Sequence, residues 1–98
     1  MITVDSEIGK RFGFTSDVFS PDSYLWEKNQ EIILSLITKV TTKKGVVQRL
    51  IKNIESQGYS VSVPTPLPAM VTVISRLGFK PVLVEDDLYG HIELWRKQ

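Results

Sequence analysis

Apolar residues recur along this chain with two periods, and the change from one to the other lays out most of its elements. Residues 23–27 (Ser-Tyr-Leu-Trp-Glu) are aromatic-rich, residues 28–30 (Lys-Asn-Gln) make a polar turn, and residues 31–40 (Glu-Ile-Ile-Leu-Ser-Leu-Ile-Thr-Lys-Val) follow. The pattern predicts a β-hairpin whose second strand, 32–40, is apolar on both faces. Such a strand is normally central in a sheet and covered by helices. Residues 41–45 (Thr-Thr-Lys-Lys-Gly) break it. Val46, Val47, Leu50, Ile51 and Ile54 then recur at helical spacing through Gln57, with Gln48, Arg49, Lys52, Asn53 and Glu55 on the opposite face and Gly58 as terminator.

The second half repeats the alternation of strand and helix. Residues 59–63 read as a short strand, and the stiff Pro-Thr-Pro-Leu-Pro connector at 64–68 leads into a helix carrying Leu67, Met70, Val73, Ile74 and Leu77 on one face. Gly78 stops that helix. Residues 79–84 and 91–96 are two further strands, joined by an acidic turn at Glu85, Asp86 and Asp87 with Tyr89 and Gly90. Residues 1–22 are weakly patterned. They read as an irregular arm with a short strand at 2–4, and Phe12, Phe14 and Phe19 are expected to pack on the body. The order after the arm is β-β-α-β-α-β-β, and its two strand-helix-strand crossovers between terminal hairpins predict an α+β fold with a mixed sheet flanked by helices.

Composition narrows the chemistry. At 98 residues, 42% of them hydrophobic, the chain makes one small domain, with 23–98 as its core. Twelve Lys and Arg against eleven Asp and Glu leave a net charge of +1, so no global field recruits nucleic acid or an anionic membrane. The absence of cysteine excludes disulfides, thiolate catalysis and Cys-based zinc sites, and a single histidine, His91, excludes a His-pair metal motif or a Ser-His triad. No metal is expected. No apolar run reaches a membrane span and the N-terminus lacks a signal-like pattern, so the expected location is cytoplasmic.

One junction stands out as chemical. The central strand runs through Thr41, Thr42, Lys43, Lys44 and Gly45 straight into a helix, whose first-turn N–H groups and dipole favour an anion such as a pyrophosphate, with two ammonium groups beside it. The same residues read equally as a solvated turn.

With that junction in place, residues 23–98 resemble the GNAT N-acetyltransferase superfamily in order and spacing. The hairpin, the central strand, the turn Thr-Lys-Lys-Gly-Val-Val at 42–47, the strand 59–63, the step Ser-Arg-Leu-Gly-Phe at 75–79 and a closing strand with Glu93, Leu94 and Trp95 carry the resemblance. It implies acetyl-CoA as cofactor, with amides of Lys43, Lys44, Gly45, Val46, Val47 and Gln48 on the pyrophosphate. It further implies that an amide between Ile37 and Val40 polarises the thioester carbonyl. The reaction implied is attack of an amine on the thioester. This chain departs from the family in having Thr42 at the head of the turn, Val47 at its second small position, Ile74 where a tyrosine acid is usual and Leu67 where an Asn is common. It also lacks the usual N-terminal helices that build an acceptor groove.

Glu31 and Glu27 are the candidate general bases, acting through water, or else solvated hairpin charges. His91 is a candidate proton acceptor or a structural residue at the start of an edge strand, and Tyr24, Tyr59 or Tyr89 are candidates to replace the missing acid. Trp26 and Trp95 read as packing residues, or as interface residues if the short fold leaves one face of the sheet uncovered. Two functional readings stand side by side: a minimal acetyl-CoA-dependent N-acyltransferase that dimerises to complete its acceptor site, or a non-catalytic GNAT-like binding or regulatory module, of the kind compact phage genomes encode, acting on a host protein.

Overall fold

Ile2, Leu25, Ile32, Leu34, Val61 and Val63 are all buried and project from one face of a mixed sheet, and that face organises the molecule. The computed structural model describes residues 1–88 and 90–97. Its strands are β1 (Ile2–Thr3), β2 (Tyr24–Lys28), β3 (Glu31–Leu36), β4 (Ser60–Pro64), β5 (Phe79–Asp86) and β6 (Gly90–Lys97), and its helices α1 (Glu7–Phe12), α2 (Val46–Ser56) and α3 (Pro68–Arg76). The fold is α+β. The sheet order is β1-β2-β3-β4-β6-β5, with β3 and β4 parallel and every other neighbouring pair antiparallel. β5 runs in the same direction as β4, but β6 is inserted between them.

The expected hairpin forms, turning through Asn29 and Gln30, both at positive φ. α2 buries Val46, Val47, Leu50, Ile51 and Ile54, the five residues whose spacing announced it. Residues 1–22, expected to be irregular but for a strand at 2–4, form that strand as β1 and add the six-residue α1. Ser6 caps α1 through the Gly9 amide at 3.1 Å, and Gly13 ends it in the left-handed region. Phe12, Phe14 and Phe19 are fully buried, as expected. α1 is tied to α2 by side chains: Asn53 Nδ2 donates to the Phe12 carbonyl at 3.0 Å, and Gln57 Nε2 to the Arg11 carbonyl at 2.6 Å.

The expectation of helices flanking the sheet needs correction. The core contains residues of all three helices and only those sheet residues whose register places them on the Leu25, Ile32 and Val63 face, Phe79 and the partly buried Trp95 among them. Residues of the other face, including Trp26, Ile33, Val82, Ile92 and Leu94, lie outside this core. The three helices therefore share one side of the sheet. Two right-handed crossovers stepping in the same direction across a sheet place α2 and α3 on the same side. Tyr89 and Gln98 lie outside the described residues, and with them the reading of Tyr89 as an acid.

Candidate functional site between β3 and β4

The two parallel strands separate after three rungs. Glu31, Ile32 and Ile33 pair with Ser60, Val61 and Ser62, and no pairing continues beyond. The cause lies on the other edge of β3. Leu25 faces Leu34, but the next residue of β2, Tyr24, faces Leu36, so one step on β2 spans two on β3 and Ser35 is extra. A β-bulge of this kind bends its strand and increases the local twist. β3 accordingly ends at Leu36, short of the expected 40, and the chain continues along a new line held by bonds to the segment 18–23. The Thr38 amide donates to Ser23 Oγ at 2.9 Å, the Ser20 amide to the Thr38 carbonyl at 2.8 Å, and the Val40 amide to the Val18 carbonyl at 2.9 Å.

Bend and divergence open a cleft of about 500 Å³ between this extension and the start of α3. Leu34, Ile37, Val63, Met70 and Val73 give it a predominantly apolar wall, and it reaches Val47 in the first turn of α2. Along an extended chain successive N–H groups point to opposite sides. With the Thr38 and Val40 amides turned toward the N-terminal segment, those of Ile37 and Lys39 turn the other way, and both residues line the cleft. At the far end, Gly45 caps α2 at φ 80° with no side-chain bond, and no acidic residue occupies the first turn. The first-turn amides of 46–48 have no acceptor within the helix.

The residues singled out from sequence fall into three groups. Ile37 and Val47 line the cleft, and Gly45, Val46 and Gln48 belong to the adjoining helix start. Val46 and Val47 bury their side chains in the core, so the β-branched residue at 47 points away from solvent at that turn. Lys43 and Lys44 are exposed on the preceding turn, and the Lys43 amide donates to Thr41 Oγ1 at 3.2 Å. Val40 is exposed and its amide is engaged by Val18, so it does not face the cleft.

Glu27 and Glu31 are at the other end of the hairpin. Glu31 accepts two hydrogen bonds from Arg96, Nε to Oε2 at 3.0 Å and Nη2 to Oε1 at 3.3 Å, a forked pair reaching across β4. Glu27 is exposed on β2 opposite Ile32. Tyr59 packs edge-on against Phe12 and Tyr24 edge-on against Trp26, while His91 is exposed opposite Glu85. Glu27, Glu31, Tyr24, Tyr59 and His91 are not among the residues lining the cleft. Ser23 and Ser35, which shape it, carry no signal in the sequence, because a bulge is a relation between two strands. Lys39 is the one ionisable side chain among the described lining residues.

Comparison of the chain with protein-family models, with curated proteins and with solved structures returns no match. Among the described residues, no group of three or more His, Asp or Glu side chains could hold a metal ion. No helix among them is long and apolar enough to cross a membrane.

Proposed function

We propose that this chain is a GNAT-like domain that binds a coenzyme A thioester in the cleft between β3 and β4. The observation that carries the reading is the divergence after the Ile33 and Ser62 rung, which leaves an apolar cleft running from free strand edges to the first turn of α2. Extended amide-containing ligands suit such a cleft, because strand edges offer N–H and C=O groups while the walls exclude water. The Ile37 amide is the donor for the acyl carbonyl, replacing the Val40 alternative, and the amides of 46–48 with Lys43 and Lys44 are the donors for the pyrophosphate. Acetyl-CoA is the cofactor of this reading, and an amine its acceptor.

A second reading, a non-catalytic module that uses the cleft only for binding, draws on one observation. No carboxylate or imidazole to take the proton from an attacking amine is among the described lining residues, Lys39 being the one ionisable side chain there. Titration calorimetry with acetyl-CoA and CoA tests the shared core of both readings, with Ala69→Trp, which fills the cleft from the exposed start of α3, as control. Saturable binding that weakens at least tenfold in the variant supports it; absence of heat at millimolar ligand overturns it. Thiol release with a panel of amines then separates the two readings, since turnover in excess of spontaneous hydrolysis selects the acyltransferase.

A further inference from the structure

We propose that the uncovered face of the sheet is the contact surface of a symmetric homodimer, in which two sheets pack face to face with their strands antiparallel. The register puts Tyr24, Trp26, Ile33, Val82 and Ile92 on this face, around Leu94 and Ser62, which are buried, and none of the apolar residues belongs to the core formed on the helical side. Trp26 is 47% exposed and Val82 37%. The extent of the face is set by sheet geometry. Strands β2 to β5 at spacings of about 4.8 Å, each roughly 17–26 Å long, project onto an area of about 400 Å², which side-chain relief brings toward the ~600 Å² per partner of a small specific interface.

The charges identify the occupant as a second copy. Lys28, Lys80 and Arg96 lie at the end of the face where β3 begins, with Glu31 paired to Arg96. Asp86 and Asp87 lie at the opposite end, where β5 turns toward β6. The face thus has one basic end, an apolar middle and one acidic end. A two-fold axis in the interface, perpendicular to the strands, lays β5 antiparallel over the partner's β5. That operation sets the end bearing Lys80 over the acidic end of the other copy, twice, while Val82 and Trp26 meet their own apolar layer. An isologous contact requires this kind of self-complementarity, and the aligned packing of two twisted sheets accommodates it.

Sedimentation velocity over a concentration series, with circular dichroism as a check on folding, tests the proposal. The wild-type chain is expected to dimerise by micromolar concentrations. Trp26→Lys and Val82→Lys, each on the exposed layer, are expected to shift the midpoint at least tenfold toward monomer with an unchanged spectrum. Lys80→Glu is expected to weaken association, and adding Asp87→Lys in the same chain to restore it, because the reversed pair again sets opposite charges over one another across the two-fold axis. A chain that stays monomeric at several hundred micromolar overturns the proposal. So does a dimer indifferent to both Trp26→Lys and Val82→Lys, or a charge swap that fails to restore what Lys80→Glu removes.

Discussion

Ile33 and Ser62 form the last parallel rung between β3 and β4, and Ser62 Oγ is fully buried there with no hydrogen-bond partner among the described residues. A buried hydroxyl without a partner carries its desolvation cost uncompensated, about 1–3 kcal/mol. Ser62→Ala removes the polar atom and leaves the strand intact. It is expected to raise the unfolding free energy by about 1 kcal/mol in urea melts, and a loss of 1 kcal/mol or more in the same measurement would show that the hydroxyl has a partner in solution.

Ser23 is the residue that holds the cleft's outer strand in place. Its buried hydroxyl accepts from the Thr38 amide at 2.9 Å, and in Ser23→Ala that amide loses its partner. A destabilisation of about 1–2 kcal/mol is expected, together with faster hydrogen exchange at Thr38 and weaker acetyl-CoA binding. Exchange unchanged at Thr38 while that at Ile54, deep in the α2 core, accelerates would point to general loosening instead.

Gly9 is needed for space, not for an unusual backbone angle. A Cβ there would stand 2.8 Å from the Thr3 carbonyl oxygen and 2.8 Å from Ser6 Oγ, the two groups that fasten the start of α1 to β1. Gly9→Ala is expected to cost about 1–3 kcal/mol by overpacking, whereas Lys10→Ala, one exposed position further, is expected to stay within about 0.5 kcal/mol. Equal thermal midpoints for the two variants would refute the close approach.

Asp5 gives the N-terminal segment a dependence on acid. Hydrogen bonds from the Ser16 side chain and then its backbone amide, the latter at 3.0 Å, hold its carboxyl below the ordinary value of 3.8, with Lys10 adding a smaller pull the same way. A carboxylate whose folded pKa is depressed contributes stability above its unfolded pKa and loses it as pH falls through the folded one. The thermal advantage of wild type over Asp5→Asn is therefore expected at about pH 6 and expected to vanish near pH 2. A gap of the same size at both values would locate the effect in shape and not in charge.

What the sequence disclosed follows from how far each signal reaches. The apolar spacing of α2 and the turn residues Asn29 and Gln30 are local, and both elements form where their patterns lie. α1 was legible too, through Ser6 before Glu7, the Ile8 and Phe12 pair and Gly13 after it, but one and a half turns offer too little periodicity to stand out. The bulge at Ser35 was not legible. It exists only as a mismatch between β2 and β3, and the cleft, the turned-out Ile37 amide and the engaged Val40 amide all depend on it. The open face was foreshadowed by the chain's length, yet it took the register of five strands to tell Trp26, outside, from Trp95, against the core.

The bonds from Asn53 and Gln57 to the carbonyls of Phe12 and Arg11 span 41 and 46 residues. During synthesis from the N-terminus, the end of α1 therefore waits for acceptors' partners that are made only when more than half the chain exists. Until α2 is complete, Phe12 has neither its bonded carbonyl nor the helix that helps bury it. This segment is made well before the residues it settles against, and a nascent chain stopped before residue 53 exposes Phe12, Phe14 and Phe19 to whatever else is present.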